Sequence, residues 1–143
     1  MAEFSTSIDI EAPPDVVFAH LVTTEGMLAW MGQQAELDAT PGGTFSVDID
    51  GNPIRGEYLE VDPPHVVVIS WGLLGSERLP AGSTRVEFRL HPIETGTRLD
   101  LSHTDLPEEE RPPHAAGWTN LLASLARAAT ANGHSMPTKR RTD

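Results

Sequence analysis

The feature that most constrains this fold is a run of short segments with period-two hydrophobicity between residues 43 and 103, followed by one long amphipathic segment. Apolar residues alternate with polar ones in, for example, Phe45, Val47 and Ile49. Turn signals separate the segments at Asp50-Gly51, Asp62-Pro63-Pro64 and Glu94-Thr95-Gly96. With a weaker strand at Gln34 to Asp38, the pattern predicts six consecutive antiparallel strands.

Both ends of the chain add further elements. Phe4 to Ile10 alternates like a strand, and Pro13-Pro14-Asp15 predicts the start of a helix. Thr23 or Thr24 can cap a second, short helix. Pro112-Pro113 suits only a first helical turn, so the last helix is predicted from there to about Thr130, a length of roughly 30 Å.

This order of elements predicts a cavity. A seven-stranded antiparallel sheet with one apolar face twists and curls around whatever covers that face. One long helix, about 10 Å wide, is too slender to fill so broad a trough. We therefore expect an α+β fold with an apolar cavity between the curved sheet, the C-terminal helix and the helical pair.

Composition and charge narrow the class of protein. With 143 residues and no cysteine, the chain is predicted to form one domain over residues 1–131 without disulfides or thiolate metal sites. A net charge of −11 disfavours nucleic acid and anionic membranes as partners. Residues 132–143 begin with Asn132-Gly133 and end in basic residues, which predicts a helix end and a flexible basic tail.

The location follows from similar arguments. No apolar run approaches the roughly 18 residues of a membrane-spanning helix, so no membrane insertion is expected. The first five residues lack a basic and then apolar leader pattern, which predicts no secretory signal and a cytoplasmic protein.

The chain resembles the Bet v 1-like or START-like (SRPBCC) superfamily, and within it the stand-alone bacterial proteins of the Hsp90 ATPase activator homologue-like group. The resemblance covers about residues 3–131. The segments that carry it are Pro14 to Phe18, Thr24 to Trp30, Pro41 to Phe45, Gly56 to Pro64, Gly96 to His103, and His114 to Trp118 with Leu122 and Leu125.

The resemblance implies the helix-grip fold and leaves function open. The superfamily includes lipid carriers, hormone receptors and polyketide cyclases. The eukaryotic Hsp90 activators carry a separate N-terminal domain that does much of the chaperone stimulation. The family name therefore does not by itself state what this chain does.

Nine residues are predicted to line the cavity as a ligand-binding wall, namely Trp30, Phe45, Trp71, Phe88, Leu101, His103, His114, Trp118 and Leu122. The tryptophans can stack on a planar ligand or fill the core. His103 is in phase with Leu101 and is the one catalytic candidate, as a general acid or base. The alternative for His103 is a buried histidine satisfied by a hydroxyl or a carbonyl.

The remaining polar candidates have ordinary structural explanations. His114 lies on the inner stripe of the last helix, and the family resemblance implies that it helps to fix that helix to its neighbours. His20, His65, His91 and His134 are predicted to be exposed or in turns, so no metal is expected. The sequence has no phosphate-binding or dinucleotide-binding motif, and no cofactor is expected.

The loop from Gly72 to Gly82 carries three leucines, which are costly to expose together. They form a lid over the cavity, a homodimer contact, or a cluster packed on the protein's own edge. Arg55 is expected to be exposed, although an inward Arg55 would indicate an acidic ligand.

The leading hypothesis is a protein that binds a small hydrophobic or amphipathic ligand, such as a lipid, a polyketide or an aromatic molecule. The first alternative is a cyclase-type or hydrolase-type enzyme that uses His103 as acid and base. The second is a protein-interaction module that resembles a chaperone partner.

Overall fold

The computed structural model of the chain describes residues 2–135, with side chains described over residues 3–131. Seven strands and three helices follow the predicted order. Their bounds are β1 Ala2–Ile10, α1 Pro14–Val22, α2 Thr24–Leu28, β2 Gln34–Leu37, β3 Thr44–Ile49, β4 Asn52–Asp62, β5 Val66–Trp71, β6 Thr84–Ile93, β7 Gly96–Leu106 and α3 Arg111–Ser135. A 3-10 turn, Glu108–Glu110, precedes α3.

The seven strands form one antiparallel sheet in the order β1-β7-β6-β5-β4-β3-β2. β1 lies beside β7, with Thr6 opposite Leu101 and Ile8 opposite Leu99. A register shift between Tyr58 and Glu60 marks a bulge in β4. The predicted helix-grip architecture is confirmed.

The last helix is longer than predicted. α3 continues to Ser135, past the Asn132-Gly133 pair at which the sequence predicted its end. A glycine inside a helix costs only about 1 kcal/mol and does not force termination. The predicted flexible tail falls largely on residues 136–143, which lie outside the described residues.

One face of the sheet is buried under the helices. Inward side chains such as Phe45, Val86 and Leu101 are almost fully buried. In the central strand β5 the alternate residues Val66 and Val68 are buried as well. β5 therefore departs from the predicted pattern of one buried and one wet face.

The C-terminal end of α1 is held by side chains from other parts of the chain. The carbonyl of Ala19 accepts from Thr23 Oγ1 at 2.7 Å, and that of His20 accepts from Trp30 Nε1 at 2.8 Å. The carbonyl of Leu21 accepts from the hydroxyl of Tyr58 at 2.8 Å. The last carbonyls of a helix have no partner within the helix, so these donors dock α1 onto α2 and the sheet.

The sequence predicts exposed side chains at His20 and Arg55, and the structure confirms only the second. His20 was expected to be exposed, and this is wrong, because its side chain is buried and its Nδ1 donates to the Val16 carbonyl at 2.8 Å. The packing of α2 against α1 covers this face of the short helix. Arg55 is partly exposed, as expected, and pairs with Asp48 at 2.9 Å.

Among residues 2–135, no helix combines the length and the apolar character needed to cross a bilayer. This holds for α3 as well, although it has 25 residues.

We predict that Tyr58→Phe lowers the free energy of unfolding by about 1–2 kcal/mol, because the buried Leu21 carbonyl loses its donor while the ring stays in place. Urea unfolding followed by circular dichroism measures the change. Glu57→Gln, at an exposed site on the same strand, is the control and should stay within about 0.5 kcal/mol of the wild type. Equal stabilities of Tyr58→Phe and the wild type would show that this hydrogen bond does not hold α1.

Candidate functional site

An apolar cavity of about 310 Å³ lies between one end of the sheet, the 72–82 loop and the first half of α3, and it is partly open to solvent. The strands and the loop contribute the side chains of Ile49, Asn52, Ile54, Trp71, Leu73 and Leu79. The helix side contributes Glu110, Pro113, His114, Gly117, Trp118 and Leu121. The cavity thus lies between sheet and last helix as predicted, but α1 and α2 contribute none of its lining residues.

The 72–82 loop is bound to the edge of the cavity through its backbone. Leu73 donates to the Leu79 carbonyl at 2.8 Å, and Leu74 donates to the Pro53 carbonyl of β4 at 2.9 Å. A side chain at Gly72 would collide with the backbone of Pro80, so this close approach requires glycine. Leu73 and Leu79 face the cavity, whereas Leu74 is 57% exposed. The three leucines therefore do not act as one surface.

Charged groups connect this loop to the start of α3. Arg78 Nη1 lies 3.4 Å from Glu110 Oε2, and Arg78 Nε lies 3.9 Å from Glu109 Oε1. Glu110 is the acidic residue in the cavity wall. The Arg78 guanidinium offsets part of its charge at the mouth of the cavity.

His103 lies at the centre of a directed chain of hydrogen bonds. Trp118 Nε1 donates to His103 Nδ1 at 3.0 Å, and His103 Nε2 lies 2.8 Å from Thr84 Oγ1. Thr84 Oγ1 in turn donates to the Trp71 carbonyl at 2.7 Å. The indole can only donate and the carbonyl can only accept. The imidazole is therefore neutral, with its proton on Nε2 and its lone pair on Nδ1.

This environment disfavours a charged His103. Burial, and secondly the nearby His114, lower the pKa of His103 from 6.5 to about 3. The side chain has no exposed surface, and both ring nitrogens are engaged. A molecule in the cavity cannot exchange a proton with His103 unless the chain of hydrogen bonds opens. The geometry favours the structural interpretation over acid and base catalysis.

His114 is the histidine that reaches the cavity. Its Nδ1 donates to the Glu110 carbonyl at 2.9 Å, one helical turn earlier. Its ring stands edge-on to His103 at a centroid distance of 5.2 Å. Because Nδ1 is engaged, Nε2 is the ring nitrogen that can meet a ligand.

Trp71 joins the aromatic cluster to the cavity. Its ring centroid lies 5.1 Å from that of Trp118, 5.8 Å from that of His103 and 6.0 Å from that of Phe45. These contacts fix the indole, which is 3% exposed, in the cavity wall.

Of the nine residues predicted for the wall, three line the cavity, namely Trp71, His114 and Trp118. The other six are in the core or at its edge and do not line it, namely Trp30, Phe45, Phe88, Leu101, His103 and Leu122. They fill the middle of the trough, which confines the open space to one end of the sheet.

Sequence reasoning missed several lining residues, among them Ile49, Gly117 and Leu121. Gly117 had a usable signal, because it lies beside the inner stripe of a long helix, where glycine leaves space and costs helix stability. Nothing within 4 Å would meet a Cβ at this position. Ile49 is in phase with Phe45 and Val47, but only the curl of the sheet brings the β3–β4 hairpin against the helix.

Over the described part of the chain, no three histidine or acidic side chains are grouped closely enough to hold a metal ion.

Several solved structures have the same fold as this chain. An AHSA1-like protein from Rhizobium etli is 35% identical, with a TM-score of 0.73 and coverage of 99% of this chain and 91% of the other. The Aha1 dimer from Colwellia psychrerythraea is 22% identical, with a TM-score of 0.79 and coverage of 91% and 97%. DynU16, from the dynemicin biosynthetic locus, is 22% identical, with a TM-score of 0.78 and coverage of 92% and 48%. The chain has the fold of these Bet v 1-like proteins.

The family model described as "Activator of Hsp90 ATPase homolog 1-like protein" matches residues 11–130. The chain belongs to this family, which confirms the resemblance seen in the sequence. No curated protein sequence matches the chain.

We predict that His103 makes stability depend on pH. Between pH 6.5 and about 3 the unfolded chain binds a proton at His103 that the folded chain does not, so this contribution to stability is lost as pH falls through that window. His103→Asn keeps a possible acceptor for Trp118 and removes the titration. Its unfolding free energy should fall less steeply between about pH 6 and pH 4, by up to about 1.4 kcal/mol per pH unit.

Urea unfolding at several pH values measures these slopes. His65→Asn, at an exposed site in the turn before β5, is the control and should change the slope less than His103→Asn does. Parallel pH profiles for His103→Asn and the wild type would contradict a neutral, buried His103.

Proposed function

We propose that this chain binds a small hydrophobic or amphipathic molecule, of the lipid, polyketide or aromatic class, in the cavity beside α3. The observation that carries the proposal is an apolar cavity with rigid aromatic walls, Trp71 and Trp118, beside a few polar groups such as His114. Ligand sites in proteins have this combination of apolar lining and sparse polar groups. Burial of apolar ligand surface supplies affinity, at about 25 cal/mol per Å².

The cavity size narrows the ligand class. About 310 Å³ is at the lower end of the roughly 300–1,000 Å³ typical of small-molecule sites. A compact molecule of one or two rings, or a short acyl chain, fits this volume better than a two-chain lipid does. The fold shared with DynU16, a putative protein in the dynemicin biosynthetic locus, supports a compact natural product as one such ligand.

The alternative of an enzyme that uses His103 has less support. Both nitrogens of that residue are engaged inside the protein, and it does not line the cavity. A binding role needs neither a titrating group nor a nucleophile there. We propose a cytoplasmic setting for it, as expected from the sequence.

A ligand screen with a cavity-filling variant tests the proposal. Thermal shift and native mass spectrometry against fatty acids, flavonoids and naphthols should find compounds that stabilise the wild type, by about 2.7 kcal/mol at one hundred times Kd. Gly117→Leu places a side chain in the open space of the cavity. We expect it to lose the response to ligands while gaining about 0.5–1 kcal/mol of stability, since leucine favours helix.

Ala116→Leu is the matched control, because it changes the neighbouring exposed position of the same helix and should keep the ligand response. The proposal fails if no compound stabilises the wild type, or if Gly117→Leu responds to ligands as the wild type does.

We also propose that the chain forms a homodimer. The support is that a protein of the same fold, from Colwellia psychrerythraea, is a dimer. Light scattering after size-exclusion chromatography should then give twice the chain mass of 15.5 kDa. A concentration of about 100 μM would populate even a dimer with a dissociation constant of some micromolar. A mass near 15.5 kDa at that concentration would therefore contradict the dimer.

A further inference from the structure

The three tryptophans differ in how their indole N–H groups are satisfied. Trp30 Nε1 donates to the His20 carbonyl at 2.8 Å, and Trp118 Nε1 donates to His103 Nδ1 at 3.0 Å. Trp71 Nε1 has no hydrogen-bond partner. Among the described residues, no other buried side-chain nitrogen or oxygen atom lacks a partner. Buried polar groups are nearly always paired, so this donor needs an explanation.

Two hydrogen-bond acceptors near the Trp71 indole are already engaged. Its own carbonyl accepts from Thr84 Oγ1, and the Nδ1 lone pair of His103 accepts from Trp118. Ring contacts with Phe45, His103 and Trp118 hold the indole in place. The donor therefore cannot readily turn toward a new partner within the protein.

Trp71 is at the same time part of the cavity wall. We propose that its indole N–H is the recognition donor for the ligand, and that the ligand carries a neutral acceptor, a ketone or aldehyde carbonyl, on a planar ring system. This inference rests on the proposed function, because it assumes that the cavity binds a small molecule. Beyond that function, the inference names the atom that orients the ligand and the kind of functional group that this atom would recognise.

The charges at the cavity select a neutral acceptor over a carboxylate. No arginine or lysine is among the described residues that line the cavity, whereas Glu110 is. Arg78 is directed to Glu109 and Glu110, and the whole chain carries −11. A carboxylate would lose its hydration beside Glu110, and the donor that it would meet at Trp71 is neutral, which is unfavourable.

The aromatic side chains in the cavity wall favour a ligand with a planar ring. Trp71 and Trp118 present tilted aromatic rings, at an interplanar angle of 44°, beside branched aliphatic side chains. Flat rings pack on such surfaces in offset or edge-on arrangements. A ligand carbonyl at this donor would pair it, whereas a hydrocarbon group would leave it unpaired.

Three probes of nearly equal shape test the inference on the unaltered full chain. They are 2-acetylnaphthalene, 2-isopropenylnaphthalene, in which a CH₂ group replaces the carbonyl oxygen, and 2-naphthoate, which is anionic at pH 7. We expect the acetyl compound to bind about ten-fold or more tightly than the isopropenyl compound, because only the former pairs the buried donor. Naphthoate should bind more weakly than the acetyl compound.

The indole N–H resonances of ¹⁵N-labelled protein report the contact directly. The acetyl compound should move the Trp71 indole proton downfield more than the isopropenyl compound does. The Trp30 indole is the internal control and should stay in place, since it is hydrogen-bonded to His20 away from the cavity. Trp71→Phe removes the donor and keeps an aromatic wall, so the affinities of the two neutral probes should then agree within about two-fold.

The outcomes separate the two proposals. If neither neutral probe binds, and no compound of the wider screen does, the proposed function fails and this inference falls with it. If both neutral probes bind equally and the Trp71 resonance responds alike to both, the cavity binds ligands and only this inference is overturned. Naphthoate binding as tightly as the acetyl compound would overturn the neutral acceptor. If Trp71→Phe does not fold, the probe comparison and the resonance in the unaltered chain still decide.

Discussion

The hydrogen-bond chain from Trp118 through His103 and Thr84 to the Trp71 carbonyl is the interaction on which the rest of the structure depends. The chain of hydrogen bonds links α3 to β7, β6 and β5. Each group in it donates to the next, so both nitrogens of His103 and the hydroxyl of Thr84 are paired. Such buried networks specify one arrangement when fully satisfied and are costly when broken. This network fixes where the helix crosses the sheet, and therefore where the remaining space lies.

The cavity is a consequence of that crossing. The middle of the trough is filled by tilted and edge-on rings, namely those of Phe45, Tyr58, Trp71, Phe88 and Trp118. Close packing leaves no room there. Space remains only at the end, where Gly117 presents no side chain and the 72–82 loop stands as a wall. The same arrangement uses the polar atoms of His103 internally and leaves the Trp71 indole N–H unpaired.

For this chain, family membership and the proposed function depend on different features. The family model and the Rhizobium etli protein establish what the chain is related to, whereas the cavity determines what it can do. Its lining combines an apolar surface, one free indole donor and a histidine whose Nδ1 is already engaged. These features support the proposed binding of a compact ligand more than they support acid and base chemistry.

The sequence by itself determined the strands and the helices, because period-two and helical hydrophobicity, proline positions and turn residues act over short distances. Its resemblance to known proteins indicated the family. Among the residues that it predicted for a ligand-binding wall, Trp71, His114 and Trp118 line the cavity in the structure. The sequence did not determine that β1 pairs with β7, that α3 passes Gly133, or which inward side chains line the cavity and which are sealed in the core. Only the tertiary structure decided these, since each depends on how a long helix and a curled sheet meet, and on contacts between residues far apart in the chain.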